Sequence, residues 1–146
     1  MTDLQYRICE TQAELFEYVA KEGYDLKIFA EEYLSSSFCR RAFDTTYSRF
    51  LLEDEQECLD FILPEIGDKL TKYEDNTVYD PAAASWIGFT YRQLYYETGI
   101  MSEELIKKVS FEAMERYYPG LHTVDEDMAF DIIAKDKKLP RNPAWR

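Results

Sequence analysis

A chain of 146 residues has the length of about one domain, and with 46% hydrophobic and 16% aromatic residues it is too apolar for disorder, even at a net charge of −12. No apolar run approaches a membrane span, and the opening stretch MTDLQYRICETQ has neither the basic nor the apolar region of a secretory leader. A soluble, cytoplasmic protein with no membrane association is therefore expected. Cys9, Cys39 and Cys58 are widely spaced with no CxxC pair, so the sequence encodes neither a disulfide framework nor a ribbon-type zinc site, and no cofactor is expected.

In chain order, Thr11 with Glu14 three residues on has the form of a capping box, and Leu15, Phe16, Val19 and Ala20 follow on one face of a first helix that ends at Gly23. Asp25 can cap a second helix, in which Leu26, Phe29, Ala30, Tyr33 and Leu34 make one apolar stripe. Ser35, Ser36 and Ser37 break it, and Phe38, Ala42 and Phe43 suggest a short third helix. A fourth starts near Asp54 with Cys58, Leu59, Phe61, Ile62 and Leu63, and Pro64 should kink or end it. Residues 72–80 (KYEDNTVYD) read as a loop.

Asp80 followed by Pro81 then predicts an N-cap with proline at the first helical position, opening a helix over about 82–98 that Gly99 closes in a left-handed cap. Trp86, Phe89 and Tyr96 fall on one side of it, and Ile87, Tyr91, Leu94 and Tyr95 on others. A helix apolar nearly all round is expected to be central and buried. Ser102 is expected to cap a helix with Leu105, Ile106 and Val109. Ser110 is expected to start another, through Phe111, Met114, Tyr117 and Tyr118, that stops at Pro119 and Gly120. Thr123 and Glu126 repeat the capping-box form before Val124, Met128, Ala129, Ile132 and Ile133. No alternating strand pattern or repeat is found. The expected fold is all-α: a single domain over 1–138, made of six to eight short helices around 82–98, with a basic tail over 139–146.

The charge is uneven. Residues 1–80 hold 19 acidic and 8 basic side chains, whereas 81–146 hold 10 and 9. The acid is densest at Glu53, Asp54, Glu55, Glu57 and Asp60. Such a surface repels nucleic acid, which argues against direct nucleic-acid binding, and suits a basic protein by steering and complementary potential. The segment lacks the alternating oxygen ligands and glycine of a calcium loop. It reads equally as a solvated helix start that serves solubility.

Several other side chains invite a role in binding. Arg92 lies among Trp86, Phe89, Tyr91, Tyr95 and Tyr96, where a guanidinium either pairs with a carboxylate of its own chain or grips a partner. Trp86, Tyr95 and Tyr96 are interface-type aromatics. His122 is the single histidine, and it can cap, pack or act as a base. Trp145, beside Arg141 and Arg146 in the proline-containing tail, has the make-up of a docking peptide. No phosphate-binding loop, GxGxxG, HExxH or GxSxG occurs, which disfavours an enzyme.

Residues 84–92 (ASWIGFTYR), with Thr98, Gly99, Ser102 and the stretch YPGLHTVD at 118–125, resemble a group of small, acidic, helical bacterial proteins. These are associated with operons like those of toxin–antitoxin modules. The resemblance covers about 80–130 and is most specific in the Trp-x-Gly-aromatic-x-Tyr-Arg string. It implies an antitoxin-like or accessory protein with a toxin-like partner, and it supplies no catalytic residue. The leading expectation is thus a non-enzymatic acidic module that neutralises or docks a basic protein. Alternatives are a nucleic-acid mimic that inhibits a nucleic-acid-binding protein, and a small enzyme or ligand-binding protein with a pocket near Arg92 and His122.

Overall fold

Short polar side chains set where most helices of this chain begin. Thr2, Asp25, Ser36, Asp54, Asp80, Ser110 and Asp125 each accept a hydrogen bond from a backbone N–H in the turn that follows, satisfying donors that a helix start leaves unpaired. The computed structural model describes residues 1–141. Among them run α1 (Asp3–Lys21), α2 (Leu26–Leu34), α3 (Ser37–Ala42), α4 (Glu55–Ile66), α5 (Pro81–Thr98), α6 (Ser102–Lys108), α7 (Phe111–Leu121) and α8 (Glu126–Lys137). A single 3-10 turn, Gly67–Lys69, follows α4, and the extended pairing among the described residues is one isolated bridge between Tyr24 and Lys72. The architecture is all-α. No described helix is long and apolar enough to cross a membrane.

The expected helices are present, with five shifted ends. α1 begins at Asp3 rather than near Thr11, because Thr2 and Gln5 form the capping box; Thr11 is buried in mid-helix, its hydroxyl donating back to the Arg7 carbonyl at 3.3 Å. The apolar spacing of α1 reaches back to Ile8 and Cys9, upstream of the expected start. α8 is capped by Asp125, not Thr123, and α6 by the backbone of Met101, with Ser102 already inside the helix. Pro64 and Pro119 end neither α4 nor α7 at once. Both are exposed and lie in a last turn, where few helical bonds remain to be lost.

The most extensive contact is between α1 and α5. They run antiparallel: the Met1 amino group lies 3.2 Å from Glu97 Oε1, while Gln12 Nε2 donates to the Gly88 carbonyl at 2.9 Å. Gly88 is required at this crossing. A Cβ there would stand 2.7 Å from both the Gln12 carbonyl oxygen and Phe16 Cγ, inside van der Waals contact. Around this pair, one continuous core joins Phe16, Phe29, Tyr33 and Phe43 with Leu94, Phe111, Met114 and Phe130, side chains from α1, α2, α5, α7, α8 and the turn after α3.

Arg92, fully buried, sits at the centre of a polar network inside this core. Its Nε and Nη2 donate to Gln12 Oε1 at 3.1 and 2.9 Å, and Nη1 pairs with Asp44 Oδ1 at 2.6 Å. Nη2 also reaches Ser102 Oγ and Cys39 Sγ, and the Phe43 and Tyr95 rings cover the guanidinium at 5.5 and 5.0 Å. Asp44 closes the circuit by accepting from the Ser102 N–H and hydroxyl, serving as a remote cap for α6, and Tyr33 donates its hydroxyl to Gln12 Oε1. Thus α1, α2, α3, α5, α6 and the turn at Asp44 are tied through one guanidinium. Replacing Arg92 by Met leaves the Asp44 carboxylate buried and unpaired, and is expected to lower the unfolding free energy by about 3–5 kcal/mol in urea titration. A loss under about 1 kcal/mol would show that the network is not a structural keystone.

Candidate functional site

On α1, Tyr6, Glu10 and Glu14 recur at intervals of four, the spacing of one helix face. On α5, Ser85, Phe89 and Gln93 do the same, with Trp86 beside them. The antiparallel crossing brings these two faces side by side, and the end of α7 with the start of α8 forms the opposite wall, enclosing a groove of about 430 Å³. Its buried floor is Ala13, Thr90 and Ala129, and its lining contains no Lys or Arg.

The walls are aromatic. Tyr6 meets Phe89 edge to face at 5.2 Å, Trp86 meets Tyr118 at 5.8 Å, and His122 stacks on Tyr118 at 4.4 Å. Trp86, Phe89 and Tyr118 are half-buried, so part of each ring is open to the groove. His122 Nδ1 lies 2.7 Å from the Tyr118 carbonyl; a carbonyl only accepts, so Nδ1 carries the proton and Nε2 is left as the acceptor of the neutral ring. At one end Tyr6 donates its hydroxyl to Glu126 Oε1 at 3.1 Å, and Gln93 Nε2 holds the Glu126 carbonyl at 3.1 Å, fixing the start of α8 against α5. Burial and then this contact with Glu126 raise the Tyr6 hydroxyl pKa.

The rim is acidic. Glu10 and Glu14 line the groove and also line an adjoining depression of about 250 Å³, together with Arg7, Leu52, Glu53 and Asp54. Among the described residues no cation lies within ion-pair distance of Glu10, Glu14 or Glu126. The Glu14 carboxyl is consequently held above its usual pKa, by burial first and then by Glu55, Glu10 and Glu17.

The expected site residues divide into three groups. Trp86 and His122 lie in the groove; Glu53 and Asp54 line the depression that adjoins it, and Glu55, Glu57 and Asp60 follow in the first two turns of α4, where Asp54 is the helix cap and Glu57 approaches Arg49 at 3.9 Å. Arg92, Tyr95 and Tyr96 are buried in the core, so the expected contact of these three with a partner is corrected: Arg92 is paired inside the chain. A pocket shared by Arg92 and His122 is not formed, because Arg92 faces Gln12 and Asp44 while His122 lines the groove. Trp145 and the tail beyond Arg141 lie outside the described residues; Arg141 itself pairs with Asp131 and covers the Phe130 ring. Tyr6, Glu10, Glu14, Phe89, Tyr118 and Glu126 complete the groove without having been singled out. The four-residue spacing on α1 hinted at Tyr6, Glu10 and Glu14 alone.

Among the described residues no His, Cys, Asp and Glu side chains gather in a group able to hold a metal ion. All three thiols are fully buried, and burial pushes Cys39 up to about 11, Cys58 up to about 12 and Cys9 higher still, the reverse of an activated nucleophile. What the groove offers is ring faces and carboxylates, the combination that holds an organic cation. Comparison of the chain with protein-family models, with curated proteins and with solved structures finds no match. The link to toxin–antitoxin operons gains nothing from them.

Glu14 gives a direct test of this field. A carboxyl whose folded pKa is raised destabilises the fold when ionised, a cost present above that pKa and absent below the unfolded value. Glu14→Gln is therefore expected to raise the melting temperature at pH 7, with the gain vanishing as pH falls through the carboxylate range. A lowered melting temperature at pH 7 would place a stabilising partner on Glu14.

Proposed function

We propose that this protein is a docking module for a basic polypeptide partner, with the carboxylates at the start of α4 and on α1 steering the approach and the aromatic groove holding what arrives. The observation that supports the reading best is that Glu10 and Glu14 belong to both features at once. An acidic surface alone serves solubility as well as binding. A surface on which the acid borders half-open rings combines long-range attraction with short-range anchoring, the two components of a specific and fast interface. In the setting that the sequence resemblance implies, the partner would be a toxin-like protein encoded nearby.

The test uses a tagged full-length chain in its native lysate. A basic protein retained at low salt and released at high salt is expected, because surface electrostatics are screened by added ions. With that partner purified, reversing Glu53, Asp54, Glu55 and Glu57 to Lys is expected to slow association by about tenfold or more while leaving dissociation nearly unchanged. An unchanged association rate discards the steering role of this segment.

A further inference from the structure

Three arginines of this chain are held in the same way, by aromatic ring faces together with a carboxylate. Arg92 has Phe43, Tyr95 and Asp44; Arg49 lies over Phe50 and Phe61 at 4.4 and 4.7 Å with Glu57 at 3.9 Å; Arg141 covers Phe130 and pairs with Asp131. The groove between α1, α5 and α7 brings the same ingredients together on a surface that a second molecule can reach: Trp86 and Tyr118 as rings, and Glu10, Glu14 and Glu126 as carboxylates.

From this we infer that the groove is an arginine-recognition site, which takes the side chain of an arginine-bearing segment of the basic partner. The inference rests on the proposed docking role and names the chemical group that is read. Size fits: about 430 Å³ falls in the ~300–1,000 Å³ range of organic-ligand sites and far exceeds the ~30 Å³ share of a water molecule. Charge fits, since the lining is acidic and free of Lys and Arg. Shape selects the guanidinium over the ammonium. A flat, weakly hydrated fork stacks on a ring while its edge engages a carboxylate through two parallel bonds, whereas a compact, strongly hydrated ammonium gives up more water and has neither the flat face nor the planar fork. Glu126 is oriented for the task, because the Tyr6 hydroxyl and the Gln93 amide fix its side chain and backbone. Glu10 and Glu14, on the exposed flank of α1, supply a second pair of acceptors.

The chain has two tryptophans, Trp86 and Trp145, so Trp145→Phe leaves Trp86 as the sole indole reporter within the groove. The full-length Trp145→Phe protein is titrated at low salt with acetyl-Ala-Arg-Ala-Arg-Ala-amide, with its lysine counterpart and with its citrulline counterpart, which keeps the shape of arginine without the charge. A saturable change in Trp86 emission is expected with the arginine peptide, a several-fold weaker one with lysine and none with citrulline. Glu10→Gln with Glu14→Gln, both at exposed positions that the fold tolerates, is expected to weaken arginine binding at least fivefold.

Equal responses to arginine and citrulline, or arginine binding indifferent to the paired Gln variant, would overturn the inference. A silent Trp86 with every peptide also overturns it. If instead the arginine peptide binds by calorimetry with Trp86 silent, and that binding is lost in the α4 charge-reversed protein, the groove is rejected while the acidic docking role stands. A change in emission on diluting the protein alone would assign the groove to a second copy of the chain and likewise overturn the arginine reading.

Discussion

The amide of Gln12 fixes how α1 lies on α5, and most of the molecule follows from that. Its Nε2 grips the Gly88 carbonyl and its Oε1 receives Arg92 twice and Tyr33 once, so one side chain uses both ends to set the register of the two longest helices. A buried amide or guanidinium without partners costs several kcal/mol, so these contacts hold the register as an all-or-none condition. The glycine at 88 removes the Cβ that would keep the backbones apart. With the register set, Tyr6 is brought against Phe89 and the α1 carboxylates border the aromatic flank of α5. The groove is a consequence of the crossing, and the network that secures the crossing lies on the side of α5 toward Asp44 and α6.

Charge is arranged to a different end. Surface ion pairs such as Lys21 with Glu17, Lys69 with Glu32 and Arg40 with Glu103 are scattered over the molecule, and exposed pairs of this kind contribute little to stability. Beside the groove, by contrast, Glu10, Glu14 and the α4 carboxylates repel one another. Carboxylates crowded beyond what the nearby Arg7 and Arg49 balance cost stability in the free protein, and a cationic partner relieves that cost on binding. The same repulsion supplies the long-range field that would draw such a partner in.

Much of the fold was legible from local chemistry. Asp25, Asp54, Asp80 with Pro81, Gly99 and Ser110 act where their side chains and backbones suggest, because each of these caps is made by residues adjacent in the chain. Two of the misread starts share a physical cause: tertiary packing outweighs the local signal. Thr11 lies in the buried face of a longer helix, and Ser102 turns its hydroxyl to Asp44, 58 residues away in the chain. The site was half legible. Trp86 and His122 were visible as unusual residues, but which carboxylates would border them depends on the α1–α5 register, which no short stretch encodes. Arg92 shows the limit most clearly. An arginine among aromatics reads equally as a surface contact or a buried pair, and the choice was made by Asp44, a residue with no sequence feature to mark it.

The central claim is that acid and aromatic groove act as one recognition surface for arginine-bearing polypeptide. The most direct measurement is residue-by-residue amide and indole chemical-shift mapping of the isotope-labelled protein during titration with an arginine-rich peptide. The account predicts shifts concentrated at Tyr6, Glu10, Glu14, the Trp86 indole, His122 and the start of α4. Shifts spread evenly over remote acidic positions such as Asp68, Glu74 and Asp75, with the Trp86 indole unmoved, would contradict it.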